Sequence, residues 1–162
     1  MPAADRCGSC TRCIDACPTN ALVGARQMDA SLCIAYLTIE KKGTIDEALR
    51  EKMGRQVFGC DICQDVCPWN RRAPVGAVPV RSEMVNPALA WLAEMDAEGF
   101  RRWFKGSPLE RTKRKRLQRN VAIAMGNSVS RAFLPKLKEW AAGEDEVLAE
   151  SARWAIGRVS EQ

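Results

Sequence analysis

Two cysteine runs, spaced fifty residues apart, constrain this chain more than any other feature. The first, CGSCTRCIDACPTN at 7–20, spells C-x₂-C-x₂-C-x₃-C-P with Cys7, Cys10, Cys13 and Cys17. The second, VFGCDICQDVCPWN at 57–70, repeats it with Cys60, Cys63 and Cys67, but Val57 stands where the first cysteine should be. This spacing is that of bacterial two-cluster ferredoxins, in which the cysteine before the proline ligates the other cluster. Three thiolates in a short loop can wrap one cubane, whereas the fourth leaves on a new segment and cannot easily fold back. Cys33 is the only other cysteine, so it takes the place vacant at Val57. The swapped scheme assigns Cys7, Cys10, Cys13 and Cys67 to one [4Fe-4S] cluster and Cys17, Cys33, Cys60 and Cys63 to a second. Each proline favours a helical turn behind its cysteine, with PTNAL as the first turn after Cys17.

Paired C-x₂-C units also suit two Cys₄ zinc sites, though the tripled spacing with C-P is more specific to iron–sulfur. Eight cysteines could form disulfides, but the start MPAADRCGSC has no apolar signal segment and no stretch approaches membrane-spanning length. The expectation is a cytoplasmic chain, where thiols stay reduced and clustered cysteines bind metal. Histidine is absent, which removes Cys/His zinc sites, Rieske-type ligation and histidine acid–base chemistry. The formal charge of +5 falls close to neutral once two thiolate-ligated clusters, each about −2, are included.

Between the runs, TIDEALREKM at 44–53 reads as a short helix, with Thr44 and Glu47 as a capping box and Gly54 just past its end. RRAPVGAVPVRSE at 71–83 reads as a linker. The remainder reads as helices. NPALAWLAEM has Asn86 as cap and Pro87 at the first position. DAEGFRRWF is capped by Asp96. SPLERTKRKRLQRNVAIAMGN has Ser107 as cap, Glu110 as capping-box partner and Gly126 as stop. RAFLPKLKEWAAG and DEVLAESARWAIGRV complete the set. Leu117, Ala124 and Gly126 align with Leu148, Ala155 and Gly157 at a period of 31 residues, which suggests a HEAT-like repeat. Trp103, Phe104, Trp140 and Trp154 are expected in the core. The fold expected is mainly α: an α+β bicluster ferredoxin-like module over 1–75, then α-helical HEAT-like repeats over 76–162.

From Arg101 to Arg119 there are nine basic residues and one acid, Glu110. Such a run is usually a solvated helix face, but its density and sign favour phosphate contacts. Arg111, Lys113, Arg114, Lys115, Arg116 and Arg119 are the candidate nucleic-acid contacts.

DRCGSCTRCIDACPTNAL, the segment from DASLC through YLTIE to FGCDICQDVCPWN, and RNVAIAMGN strongly resemble the C-terminal half of the epoxyqueuosine reductase family, from about residue 5 to 159. The resemblance implies the last step of queuosine synthesis, on the wobble base of tRNA. In that family two four-iron clusters pass electrons to cobalamin, and the epoxide is reduced with loss of water. The eight cysteines fall on the family's eight ligand positions, and the basic tail would hold the tRNA anticodon stem-loop. The family's cobalamin domain and its catalytic acid have no counterpart here, so the expectation is an electron relay that needs that domain in cis or trans. No catalytic residue is assigned, an external electron donor is implied, and the chain alone is expected to be monomeric and inactive. The alternative is a stand-alone two-cluster electron-transfer protein that docks on another corrinoid reductase.

Overall fold

The computed structural model describes residues 7–73, 76 and 84–161. Most of the expected 71–83 linker, and with it the expected boundary at 75/76, lies outside them. Residues 7–73 fold as short pieces, because each cysteine run forces a tight turn. Helix α1 (Arg12–Ala16) follows Cys10, and α4 (Ile62–Asp65) follows Cys60. Helix α1 ends at Cys17 and α4 at Val66, one residue before Cys67; Cys17 and Cys67 are both extended, as sterics at a pre-proline residue require. Behind Cys67 a 3₁₀ turn, Pro68–Arg72, forms as expected. Behind Cys17 no helix forms. Asn20 turns left-handed at φ 55° and leads the chain into a hairpin, β1 (Leu22–Gly24) and β2 (Gln27–Met28), antiparallel with Leu22 opposite Met28.

Asp29 caps the 3₁₀ turn Ala30–Leu32 by accepting from the Ser31 N–H at 2.9 Å. Cys33 is the extended residue that starts α2 (Ile34–Ile39). Helix α3 is shorter than expected, Glu47–Arg50, and its cap is Asp46, which accepts from the Ala48 N–H at 2.9 Å; Thr44 does not cap it. An Asp immediately before the helix outcompetes a Thr two residues further back. Gly54, at φ 57°, lies within the turns that follow.

The second half is helical: α5 (Leu89–Ala93), α6 (Ala97–Phe104), the 3₁₀ turn Pro108–Thr112, α7 (Lys113–Asn127), the 3₁₀ turn Arg131–Phe133, α8 (Leu134–Ala141) and α9 (Glu146–Ser160). Asp96 caps α6 through the Gly99 N–H at 2.6 Å, and Asp145 caps α9 through the Leu148 N–H at 3.3 Å. Asn86 does not cap α5, which starts after Ala88; Asn86 itself takes a left-handed φ of 51°. The expected helix over 107–127 breaks at Lys113, φ 64°. Ser107 donates to the Phe104 carbonyl instead of capping, while Glu110 accepts from the Gly106 N–H at 3.0 Å.

Helix α7 is the axis of the fold. Every residue from Leu117 to Gly126 is buried. Its Leu117, Val121 and Met125 join Phe100, Phe104, Leu137, Trp140 and Ala152 in one apolar core. Its Ile123 joins Ile34, Leu37, Ile45 and Met53 in another, on the cysteine-bearing side. A helix buried on all faces is a central one, and here it serves both halves. Trp103 packs against the first core and meets Trp91 edge-on at 5.2 Å. Trp154 lies half-buried at the seam between the cores, with Arg50 and Arg158 over its ring at 5.6 and 5.9 Å.

Candidate iron–sulfur centres and nucleic-acid surface

The eight cysteines are free thiols, half-buried except for the exposed Cys7 and Cys10. Burial raises the Cys60 thiol, opposed by the Ile62 N–H and reinforced by Cys33, Cys63 and Cys17. Burial likewise raises Cys63, with Cys33, Cys13 and Cys17 adding to it. Thiols that perturb one another in this way are neighbours. The thiols that act on Cys60 are those of Cys33, Cys63 and Cys17, and those that act on Cys63 are Cys33, Cys13 and Cys17. Cys17 goes the other way. Burial opposes its thiolate, but the Thr19 hydroxyl at 3.6 Å, the Ala21 N–H at 3.3 Å and the N–H groups of Leu22 and Thr19 outweigh burial and lower its pKa.

For the other four the placement is by segment. The Cys10 N–H donates to the Cys7 carbonyl at 3.1 Å, and α1, which carries Cys13, packs on α4, whose chain leads directly into Cys67. Among the described residues no three cysteine or acidic side chains converge on one point as the shell of a single ion does. The donor chemistry, eight thiols with backbone N–H groups directed at sulfur, fits four-iron clusters.

The basic run divides in two. Arg119 is wholly buried and cannot meet a phosphate. Its Nη1 donates to the carbonyls of Lys41 and Gly43 at 2.8 and 2.7 Å, and its Nη2 to that of Leu37 at 2.7 Å. Burial, with Arg116 and Arg50 nearby, lowers its pKa to about 10, so it stays cationic at neutral pH. Arg116 is half-buried, and its guanidinium donates to the carbonyls of Thr112, Glu40 and Arg111 at 2.5, 3.1 and 2.6 Å. These two are structural. The carbonyls left over at the end of a helix need donors, and both arginines supply them at the end of α2. Arg111, Lys113 and Lys115 are exposed and Arg114 half-buried. Arg111 pairs with Glu40 at 2.5 Å and Lys115 with Asp145 at 3.0 Å, yet both side chains remain more than 70% accessible.

Sequence reasoning missed Asn120 and Asn127. Asn127 donates to the carbonyls of Arg50 and Gly54, both at 2.7 Å, and Arg50 pairs with Glu150 at 2.5 Å. The signal is present in RNVAIAMGN, where polar residues interrupt an apolar helical run. Polar side chains inside a buried helix must find partners.

Paired cysteine runs, half-buried thiols and a helical tail locked onto them define a two-cluster iron–sulfur protein of ferredoxin type. The 4Fe-4S double cluster binding domain family matches residues 6–70. Epoxyqueuosine reductase of Pseudomonas aeruginosa is 44% identical over 161 residues, 97% of this chain and 45% of that one. That of Xanthomonas campestris is 39% identical over 161 residues, again 97% and 45%. A crystal structure of epoxyqueuosine reductase with an epoxyqueuosine-modified tRNA-Tyr stem loop superposes with a TM-score of 0.90 at 36% identity, covering 98% of this chain and 43% of that one. The chain is a homologue of the epoxyqueuosine reductases, which are oxidoreductases, and spans about 45% of the length of the curated relatives it matches. Among the described residues no helix is long and apolar enough to cross a membrane.

Proposed function

We propose that this chain is the electron-relay and tRNA-contacting part of an epoxyqueuosine reductase, working in the cytoplasm. One observation carries the reading: the likeness runs through the cysteine module and the helical tail alike, up to a relative crystallised with a modified tRNA stem loop. A stand-alone ferredoxin would have no reason to share that tail.

In this reading Cys7, Cys10, Cys13 and Cys67 hold one [4Fe-4S] cluster, and Cys17, Cys33, Cys60 and Cys63 hold the other. Such clusters accept and pass on single electrons. Removing the epoxide oxygen as water takes two electrons and two protons, supplied by an external donor and by solvent. Cobalamin, in cis or in trans, would be the electron acceptor. The residues of this chain set the conditions for the relay. N–H groups directed at Cys17 favour its anionic sulfur. Burial raises Cys60 and Cys63, so loading that site releases their protons. No group here is assigned to protonate the opened epoxide.

The exposed turn leading into α7 supplies the RNA surface through Arg111, Lys113, Arg114 and Lys115. Helices α7 and α9 are the equivalent helices of two HEAT-like units, related by the 31-residue period, within an α-helical domain over 76–162 that follows the cluster module over 1–75. The protein acts as a monomer. The test is binding to a tRNA-Tyr anticodon stem-loop across a salt series. Replacing those four residues by Gln should lower the slope of log K against log salt by about 0.7–0.9 for each phosphate no longer neutralised. An unchanged slope would reduce the run to a solvated face.

A further inference from the structure

The second cysteine run lacks its first ligand, and the structure shows what stands there. Val57 packs against the core of the helical tail, and its carbonyl accepts from Asn120 Nδ2 at 2.9 Å. The same Nδ2 donates to the Thr38 carbonyl at 2.8 Å. Asn120 is wholly buried, and its Oδ1 accepts from Arg119 Nε at 3.1 Å and Nη2 at 2.9 Å. One side-chain amide thus joins two distant segments. One is α2, which begins at Cys33. The other is the loop 57–60, which ends at Cys60.

A second tie lies beside it. The Thr38 hydroxyl, also wholly buried, donates to the Ile34 carbonyl at 2.8 Å and accepts from the Gly59 N–H at 3.0 Å. Gly59 has φ 71°, a conformation suited to glycine, and its N–H is the one just before Cys60. Arg119 completes the arrangement by holding the carbonyls at the far end of α2. Both segments are fixed by α7 and by each other.

We infer that Asn120 and Thr38 are positioning residues for the cluster held by Cys17, Cys33, Cys60 and Cys63, replacing the constraint that a cysteine at 57 would have supplied. The inference rests on the cluster reading of those cysteines. It gives the tail a role at the metal: α7, whose first turn is basic, also sets the register between the segments that carry two of the four ligands. Asn120 and Thr38 touch no sulfur and act through the backbone. Asn127 makes two comparable donations from the same helix, but to Arg50 and Gly54, and so serves as the control.

The experiment uses the whole chain, reconstituted anaerobically with iron and sulfide. Iron release to a chelator is followed by absorbance, and each kinetic phase is assigned by comparison with Cys33→Ser, which should lack the second cluster. Asn120→Asp keeps the shape and the acceptor for Arg119 but loses both donations. Thr38→Val removes only the hydroxyl, and Thr38→Ser restores it. Each missing hydrogen bond should speed release of the second cluster's iron about tenfold and leave the first phase unchanged. Thr38→Ser should return the wild-type rate, and Asn127→Ala should lower stability without separating the phases. Unaltered second-phase rates in Asn120→Asp and Thr38→Val, or equal acceleration of both phases, would overturn the inference. A wild-type protein that binds no iron–sulfur at all would instead remove the cluster reading beneath it.

Discussion

Gly126 lies so close to Ala155 that a Cβ on the glycine would sit 2.9 Å from the alanine's Cα and Cβ and equally near the Trp154 ring. The backbones of α7 and α9 approach each other there, where the helical tail meets the second core. Gly126→Ala should therefore destabilise the protein by about 1–3 kcal/mol through overpacking. Gly157, its partner in the 31-residue repeat, has nothing within 4 Å of an added Cβ. Gly157→Ala should stabilise α9 by about 0.5–1 kcal/mol. Urea denaturation of the two variants checks both signs at once.

That pair shows how much of the fold can be read from the sequence and where reading stops. The repeat is visible as a pattern of letters, but the two glycines in it do different things. Gly126 reads as a helix stop, yet the helix runs through it to Asn127. A period locates equivalent positions; it does not say which of them a neighbouring helix will press against. The cysteine spacing is far more informative, because metal geometry fixes ligand reach locally. It leads to Cys33 as the replacement for Val57, an assignment that the iron content of Cys33→Ser tests. The basic run is the least legible. Whether an arginine faces solvent or caps another helix depends on tertiary packing, and Arg119 and Arg116 turn inward to the end of α2.

Arg119→Met should be among the most destabilising substitutions in the tail. It would leave the carbonyls of Leu37, Lys41 and Gly43 without this donor. The loss of a buried partner costs about 1–3 kcal/mol, and three acceptors lose one here. The melting temperature should fall, while the salt dependence of RNA binding in the folded protein stays at the wild-type slope. A changed slope would mean that Arg119 reaches phosphate.

Two acids offset the exposed part of the run. Asp145 pairs with Lys115, and Glu40 with Arg111. Asp145→Asn keeps an effective helix cap and releases Lys115; Glu40→Gln releases Arg111. The double variant should bind RNA a few-fold tighter, about 2–5-fold at low salt, with the gain fading as salt rises. The Asp145 carboxyl has an acid-side signature too. Burial opposes its charge, but Lys115 and the Leu148 and Val147 N–H groups outweigh burial and hold the pKa below the ordinary 3.8. Its contribution to stability is complete above that pH and is lost as pH falls through the lowered value. In urea melts of the apoprotein, Asp145→Asn should lack that acid-side loss.

Val57→Cys should not rescue Cys33→Ser. The carbonyl of residue 57 is held by Asn120 and its side chain packs toward the apolar core, so a thiol placed there points away from the site. The double variant should reconstitute with half the iron of the wild type. Full iron content would show that the loop is free to turn.

Eight thiols holding two four-iron clusters, with Cys33 as the ligand displaced in sequence, is the centre of the proposed function. The most direct test is the iron and acid-labile sulfide content of the anaerobically reconstituted protein, beside that of Cys33→Ser. The wild type should carry roughly eight iron and eight sulfide per chain, and the variant roughly four of each. A colourless protein after reconstitution, or a variant that retains the full complement, would contradict this.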